Sequence, residues 1–242
     1  MILYIGLDDT DTPTSEGTNQ LARRIARALP SGCRCRAILR HQLLRDPRVP
    51  CTSKNGCASL LIEGHGGWRR ELVPLLIETV RSAHHPGSDP GLCVAERVPS
   101  AAIEFGRLCR SRLVRQEEAR ELALACDIEL HGLGGSEDGV IGALAAVGLA
   151  ASGEDGRVVH LAGWPWPDDF SGAQTLAALR ARGVEEVREL ASGALVSEGI
   201  VDVGKRLRPA YRGSRVVLFV ERAVPPEEPA AVNPVWRGLK LD

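Results

Sequence analysis

The chain has 242 residues, 44% of them hydrophobic and 25% charged, with 30 Lys+Arg against 31 Asp+Glu for a formal net charge of −1. This composition excludes collagen-like, low-complexity and largely disordered chains, and the length suits one large domain or two small ones. Near-neutral charge and 4% aromatic residues argue against retention on nucleic acid by bulk charge or by a base-stacking platform, so any RNA contact is a local patch.

Residues 1–7 (MILYIGL) predict a short buried strand, followed by the acidic loop Asp8-Asp9-Thr10-Asp11. A helix is expected over 17–29, where Leu21, Ile25 and Leu29 recur at i, i+4, i+8 with Arg23, Arg24 and Arg27 off that stripe. Strands follow at 33–44 and 57–63, separated by a loop with Pro47, Pro50 and Asn55-Gly56, the last read as a tight turn. An amphipathic helix is expected over 68–83, a strand over 92–98, helices over 100–113 and 115–126, and a strand near 127–131. The glycine-rich stretch Gly132–Gly139 enters Val140-Ile141-Gly142-Ala143-Leu144-Ala145-Ala146-Val147. That segment is apolar on every face, which predicts a helix buried in the middle of the fold. Beyond it come a strand (157–163), a helix (171–182) and two or three further strands including 215–222. The last twenty residues, with Pro225, Pro226, Pro229 and Pro234, read as an irregular surface tail. The fold class is α+β, or mixed α/β.

No apolar run reaches the roughly 18 residues of a membrane span. The opening MILYIGLDDTD lacks a basic n-region, so the expectation is a cytoplasmic chain without a signal peptide. Seven cysteines (33, 35, 51, 57, 93, 109, 126) form no CxxC pair, which argues against a tetrahedral zinc site and favours small buried thiols.

Four segments are candidates for chemistry. Asp8, Asp9 and Asp11 place three carboxylates within four residues. At a strand end beside a helix start they suit Mg²⁺ held against phosphates, or else form a turn with one capping Asp. Gly17-Thr18-Asn19 opens the first helix, where free N–H groups and the positive dipole end attract phosphate; alternatively Thr18 is an N-cap. The loop His131–Gly139 is a phosphate cradle or a long turn capped by Ser136, with Glu137 and Asp138 opposing an anion there. Ser53-Lys54-Asn55-Gly56-Cys57 offers a lysine clamp or a hairpin turn with an exposed lysine.

Together these segments resemble one family. Ile5-Gly6-Leu7-Asp8-Asp9-Thr10-Asp11 looks like the IGIDDTDS opening of the archaeal tRNA-Ile agmatinylcytidine synthetases (TiaS), and Gly17-Thr18 falls where that family keeps its catalytic threonine. Asp46-Pro47-Arg48-Val49-Pro50, then Asn55-Gly56, resembles its NPxIP…GNG segment, and Asp89-Pro90-Gly91 its NPG. Gly139–Gly148 is close to its GLIGALAAVG. These segments occur in the family's order over about 150 residues.

The resemblance implies a kinase-type catalytic domain beside a ferredoxin-like α/β domain. It implies residues 1–150 as an ATP-dependent core, with 64–126 as a candidate interleaved segment, and 151–242 as a ferredoxin-like or accessory region. It also implies Mg-ATP chemistry that activates the C2 oxygen of a tRNA cytosine for attack by an amine, agmatine in the family. Asp8, Asp9 and Asp11 would then hold Mg²⁺ and polyphosphate, and Thr18 would contact or accept phosphate. Gly6, Thr10, Gly17, Asn55, Gly56, Gly139 and Gly142 would line the nucleotide site. The sequence shows no sign of the OB-fold and zinc ribbon that family members carry. The alternatives are a small-molecule kinase or ATP-dependent ligase reusing the core, and a non-catalytic nucleotide-binding regulator. For RNA, two arginine rows are candidates: Arg34, Arg36 and Arg40, alternating on one strand face, and Arg206, Arg208, Arg212 and Arg215. Both also suit solvated or acid-paired arginines. Acceptor, amine and oligomeric state are not set by the residues.

Overall fold

The computed structural model describes residues 1–12, 14–49, 51, 54–64, 68–165, 170–223 and 235–241. It divides into two compact units, Met1–Ser152 and Gly153–Asp242. The architecture is mixed α/β.

In the first unit the elements run β1 (Ile2–Asp8), α1 (Thr18–Arg27), β2 (Arg34–Gln42), β3 (Gly56–Glu63), α2 (Trp68–Ser82), β4 (Gly91–Ala95), α3 (Ser100–Leu108), α4 (Gln116–Ala125), β5 (Glu129–Gly132) and α5 (Gly139–Ser152). The strands lie in the order β5-β4-β1-β3-β2, with every neighbouring pair antiparallel. Residues 2–95 therefore run βαββαβ with strand order 4-1-3-2, the ferredoxin-like split arrangement. It lies in the first unit and carries the acidic loop at the end of its first strand.

The two faces of the sheet are packed differently. On β1, Leu3, Ile5 and Leu7 alternate with Tyr4, Gly6 and Asp8. Gly6 meets α5 so closely that a methyl there would overlap the Ala143 carbonyl, and one on Gly91 would overlap that of Gly139. Gly148 does the same for α3 at Ala102. Glycine and alanine on α5 thus allow backbone-to-backbone approach on two sides. Residues 142–150 of the helix are all buried, as their unbroken apolar pattern predicts. On the other face lie Leu3, Ile5 and Leu7, all at or below 3% exposure. There α1 turns in Leu21, Ala22 and Ile25 against β2 and β3.

Two expectations change in this unit. A bulge on β2 between Cys35 and Ala37 shifts the register by one. Side chains alternate faces, so Arg34 and Arg40 project from opposite faces and the proposed arginine row is split; Arg34 is paired with Glu63 at 2.7 Å. Asn55-Gly56 does not form the tight turn expected of it; Gly56 opens β3. Asn55 instead bonds back toward the end of β2, with Nδ2 donating to the Leu44 carbonyl at 2.9 Å and its carbonyl accepting from Leu43 N–H at 3.0 Å. Gly56 is needed because a side chain would press on the Arg40 guanidinium and the His41 carbonyl, 2.7 and 2.8 Å from a Cβ.

In the second unit the described elements are β6 (Arg157–Leu161), β7 (Ala173–Thr175), α6 (Leu176–Ala181), β8 (Glu186–Glu189), β9 (Ile200–Asp202), β10 (Ala210–Arg212), β11 (Arg215–Arg222) and β12 (Val235–Gly238). Their order is β6-β10-β11-β12-β9-β7, with β8 parallel to β11. The helix expected over 171–182 is shorter. Residues 173–175 pair with β9, and α6 starts after Thr175, whose hydroxyl caps Ala178 N–H at 3.1 Å. The tail is not wholly irregular, since β12 joins β11 to β9 and buries Trp236; Pro225, Pro226, Pro229 and Pro234 lie outside the described residues. No helix is long and apolar enough to cross a membrane among the described residues.

Candidate active site

A cavity of about 680 Å³ opens in the first unit. Its lining includes Asp8 at the end of β1 with Asp9 and Asp11 beyond it, Gly17, Thr18 and Asn19 at the start of α1, and Asn55 and Gly56 at the start of β3. It also includes Gly139 and Gly142 at the start of α5. Nine of the eleven residues singled out from the sequence are therefore brought together. The two others stand behind the wall. Gly6 lies under α5, and Thr10, 3% exposed, donates its hydroxyl hydrogen to Thr18 Oγ1 at 3.1 Å.

The three carboxylates are crowded. Burial, with the Asp9 and Asp11 charges added, pushes the Asp8 carboxyl up to about 7. Burial and the charges of Asp89, Asp11 and Asp138 push Asp9 up to about 6, and burial raises Asp11 despite the Thr18 hydroxyl bonded to it. Asp9 is also held at φ +49°, a left-handed conformation that aspartate tolerates better than most residues. A cluster whose members all resist ionisation gains from a cation placed among them. Among the described residues no group of three or more His, Cys, Asp and Glu is preformed as a metal cage.

Thr18 is not an N-cap. The cap position is Gly17, in extended conformation and with no side-chain cap bond. Thr18 is the first helical residue; its hydroxyl accepts from Thr10 and donates to Asp11 Oδ1 at 3.3 Å. The N–H groups of Thr18 and Asn19 have no partner among the described residues, and Asn19 Oδ1 is shielded from solvent without a hydrogen bond. The first turn of α1 thus offers unused donors to the cavity.

The glycine-rich loop behaves in the opposite way. Gly139 N–H is taken by the Asp89 carbonyl at 3.1 Å, Val140 N–H by Glu137 and Ile141 N–H by Asp138. These donors are not free to cradle a phosphate. Ser136 does cap Asp138 N–H at 3.3 Å. Glu137 does not line the cavity and pairs with Arg120, whereas Asp138 does line it.

Cavity residues that the motifs did not single out as ligands include Asp89, Asp138, Asn19, Arg40, Arg112 and Arg115. Arg48 is engaged by Asp46, whose carboxyl it holds down to about 2, and Arg112 by Glu118 at 2.7 Å. Lys54, exposed at the rim, has no partner among the described residues. Asp89 had a weak signal in the Asp-Pro-Gly match; the arginines between α3 and α4 had none. All seven cysteines are free. Cys109, on the cavity wall, has its thiol pushed up to about 12 by burial, so it is no thiolate at neutral pH.

The first unit is an antiparallel ferredoxin-like sheet with an acidic strand end and a glycine-lined buried helix, so the ferredoxin-like arrangement lies in residues 2–95 and not in 151–242. No protein-family model matches the chain. It is 30% identical over 154 residues to the tRNA(Ile2) 2-agmatinylcytidine synthetase TiaS of Pyrococcus horikoshii, a match covering 61% of this chain and 36% of that protein. Crystal structures of a tRNA fluorescent labeling enzyme and of the TiaS–tRNA(Ile2)–ATP complex each align with a TM-score of 0.53 at 25% identity, over 61% of this chain and 36% of theirs. The chain spans about a third of the length of these relatives.

Proposed function

We propose that the first unit is an ATP-dependent catalytic core that moves a phosphoryl group to an acceptor oxygen, the acceptor being a tRNA cytosine that an amine then attacks. One observation carries this reading. Three carboxylates that resist ionisation, and a threonine hydroxyl bonded to one of them, share a cavity wall with a helix start whose donors are unused. The arrangement pairs a place for a cation with a place for phosphate, and phosphoryl transfer asks a protein mainly for positioning and charge neutralisation.

In this reading Asp8, Asp9 and Asp11 would hold Mg²⁺, whose charge would offset that developing on phosphate. Thr18 and Asn19 N–H groups and Gly17 receive the phosphates, with Lys54 and Arg115 at the rim. Asn55, Gly56, Gly139 and Gly142 shape the nucleotide's enclosure, while Gly6 and Thr10 support that wall from behind. Asp11 accepts the Thr18 hydroxyl proton, which orients Oγ1 toward the cavity for contact with phosphate or for accepting it. Residues 151–242 are the accessory region. Seven free cysteines favour a reducing, cytoplasmic setting.

ATP consumption assayed with and without Mg²⁺, tRNA-Ile and agmatine tests the proposal. Turnover is expected only with the cation, and Asp8→Asn or Asp9→Asn abolishes it, a loss of several kcal/mol in transition-state stabilisation, while circular dichroism stays native. Wild-type turnover in both variants would reduce the cluster to a turn. Turnover independent of tRNA would shift the acceptor to a small molecule. With the β2 arginine row split and a net charge of −1, the chain is expected to bind tRNA only at micromolar or weaker affinity at physiological salt, and filter binding with tRNA-Ile and an unrelated tRNA measures this.

A further inference from the structure

We propose that Asp89 is a positioning residue that clamps the 133–138 loop and thereby sets the acidic wall of the cavity, an inference that rests on reading that cavity as the reaction site. Both oxygens of its carboxylate are used on one residue of the loop. Oδ1 accepts Ser136 N–H at 2.7 Å, and Oδ2 accepts the Ser136 hydroxyl at 2.8 Å. The Asp89 carbonyl accepts Gly139 N–H at 3.1 Å, and the next carbonyl, that of Pro90, accepts Leu133 N–H at 2.8 Å. The loop is thus tied at its start, middle and end to a single dipeptide.

The backbone is shaped for this. Gly135 sits at φ +58° with its Cα turned to Asp89, and any side chain there would overlap the carboxylate. From the other side Gln116 Nε2 donates to the Ser136 carbonyl at 2.9 Å and to Asp138 Oδ1 at 3.4 Å. The clamped segment leads directly into the parts that face the site: Asp138 on the cavity wall, then Gly139 and Gly142. Gly142 lies so close to Asp8 that a methyl would overlap its carboxylate. A loop free to shift would carry the first turn of α5 away from Asp8.

The negative charge of Asp89 is not what the clamp needs. It adds repulsion at Asp9, and an amide makes the same two bonds. Asn Oδ1 accepts the Ser136 N–H, and its Nδ2 donates to a hydroxyl that is free to rotate. This separates a positional role from a direct, charge-dependent one.

The test compares Asp89→Ala, Asp89→Asn and Ser136→Ala in the full chain, by hydrogen exchange of the 133–139 amides and by kcat and KM for Mg-ATP. Asp89→Ala is expected to lose protection in the loop and 10- to 100-fold in kcat, the size typical of outer-shell partners, with a smaller change in KM. Asp89→Asn restores protection and most of kcat. Ser136→Ala, which removes only the hydroxyl bond, falls between them and keeps the test alive if Asp89→Ala does not fold. Unchanged exchange in both Asp89→Ala and Ser136→Ala overturns the clamp. Restored protection with no recovery of kcat in Asp89→Asn overturns the positional role and makes the charge itself the requirement. If wild-type protein consumes no ATP under any acceptor condition, the reaction-site reading falls, and the exchange data alone decide the clamp.

Discussion

Two helix N-termini face the same cavity, and they are built for opposite purposes. At α5 the first three N–H groups are spent on Asp89, Glu137 and Asp138, and the entering glycines are packed against backbone. At α1 the N–H groups of Thr18 and Asn19 are unspent, the cap is a glycine without a side-chain bond, and the nearest atom to a methyl on Gly17 would be Asp11 Oδ2 at 3.6 Å. Both starts carry a glycine and a positive dipole end. The sequence offers both as phosphate sites, and the α5 loop has the richer glycine pattern. Glycine is packed against backbone at α5 and meets only an ordinary contact at α1, so under the proposed function donor availability rather than glycine content marks the α1 start as the phosphate end.

Alanine at the two glycines is the sharpest way to break this comparison. Gly139→Ala drives a methyl into the Asp89 carbonyl and the Gly91 N–H, backbone groups that cannot rotate away. A loss of more than about 3 kcal/mol is expected, read as a collapse of the melting temperature or of soluble yield. Gly17→Ala has ordinary contact distances and φ −67°, which alanine adopts freely. Its stability is expected to change by less than about 1 kcal/mol, the weaker cap being offset by a stiffer unfolded chain. Because the methyl fills the space offered to phosphate, KM for ATP is expected to rise about tenfold, near 1.4 kcal/mol. Equal melting losses in both variants, or an unaltered KM in Gly17→Ala, would remove the distinction.

Thr18 sharpens the α1 side alone. Since it is the first helical residue and not the cap, Thr18→Ala has no capping bond to lose. It removes the bridge from Thr10 to Asp11, at about 1 kcal/mol of stability. If the hydroxyl meets phosphate, kcat falls by about 100-fold or more, and Thr18→Ser, which keeps the oxygen, recovers most of it. Parallel melts and turnover measurements separate the two effects. A large melting loss with ordinary turnover would make Thr18 a structural bridge.

The elements that were legible in the sequence are those governed by local pattern. The strand, acidic loop and helix at the start follow from period and composition, and α5 was readable as buried because no face of it is polar. Nine motif residues do converge on one cavity, because strand ends and helix starts on one sheet edge meet there. What failed to read out was set by pairing between distant segments. The β2 bulge moves Arg34 and Arg40 to opposite faces through its register with β3. Asn55 bonds back to Leu44, where the dipeptide suggested a tight turn of its own. Residues 173–175 take a strand partner in β9, and 235–238 find two strand neighbours despite the prolines before them. Asp89 was legible only as part of a turn motif, since its bonds run to a residue 47 positions away.

The pH dependence of stability tests the carboxylate wall that both helix ends border. Asp8 and Asp9 have folded-state values near 7 and 6, against about 4 for an unfolded aspartate. A raised carboxyl pKa means that the folded chain binds more protons than the unfolded one, so stability falls as pH rises. The contribution is fully present below about pH 4 and is lost progressively up to about pH 7. In cation-free buffer the melting temperature is therefore expected to drop by several degrees between pH 5 and pH 8, a change on the order of 2 kcal/mol once water penetration and coupling between the two groups are allowed for. Millimolar Mg²⁺ supplies the missing counter-charge and stabilises the ionised cluster by mass action, most at pH 8 and least at pH 5. Asp8→Asn removes the charge most resistant to ionisation, so it is expected to melt higher than wild type at pH 8 without Mg²⁺ and to gain less from the cation. A melting temperature that rises with pH in cation-free buffer, or an Asp8→Asn protein that responds to Mg²⁺ as wild type does, would show that these carboxylates are not held in repulsion and do not receive the cation.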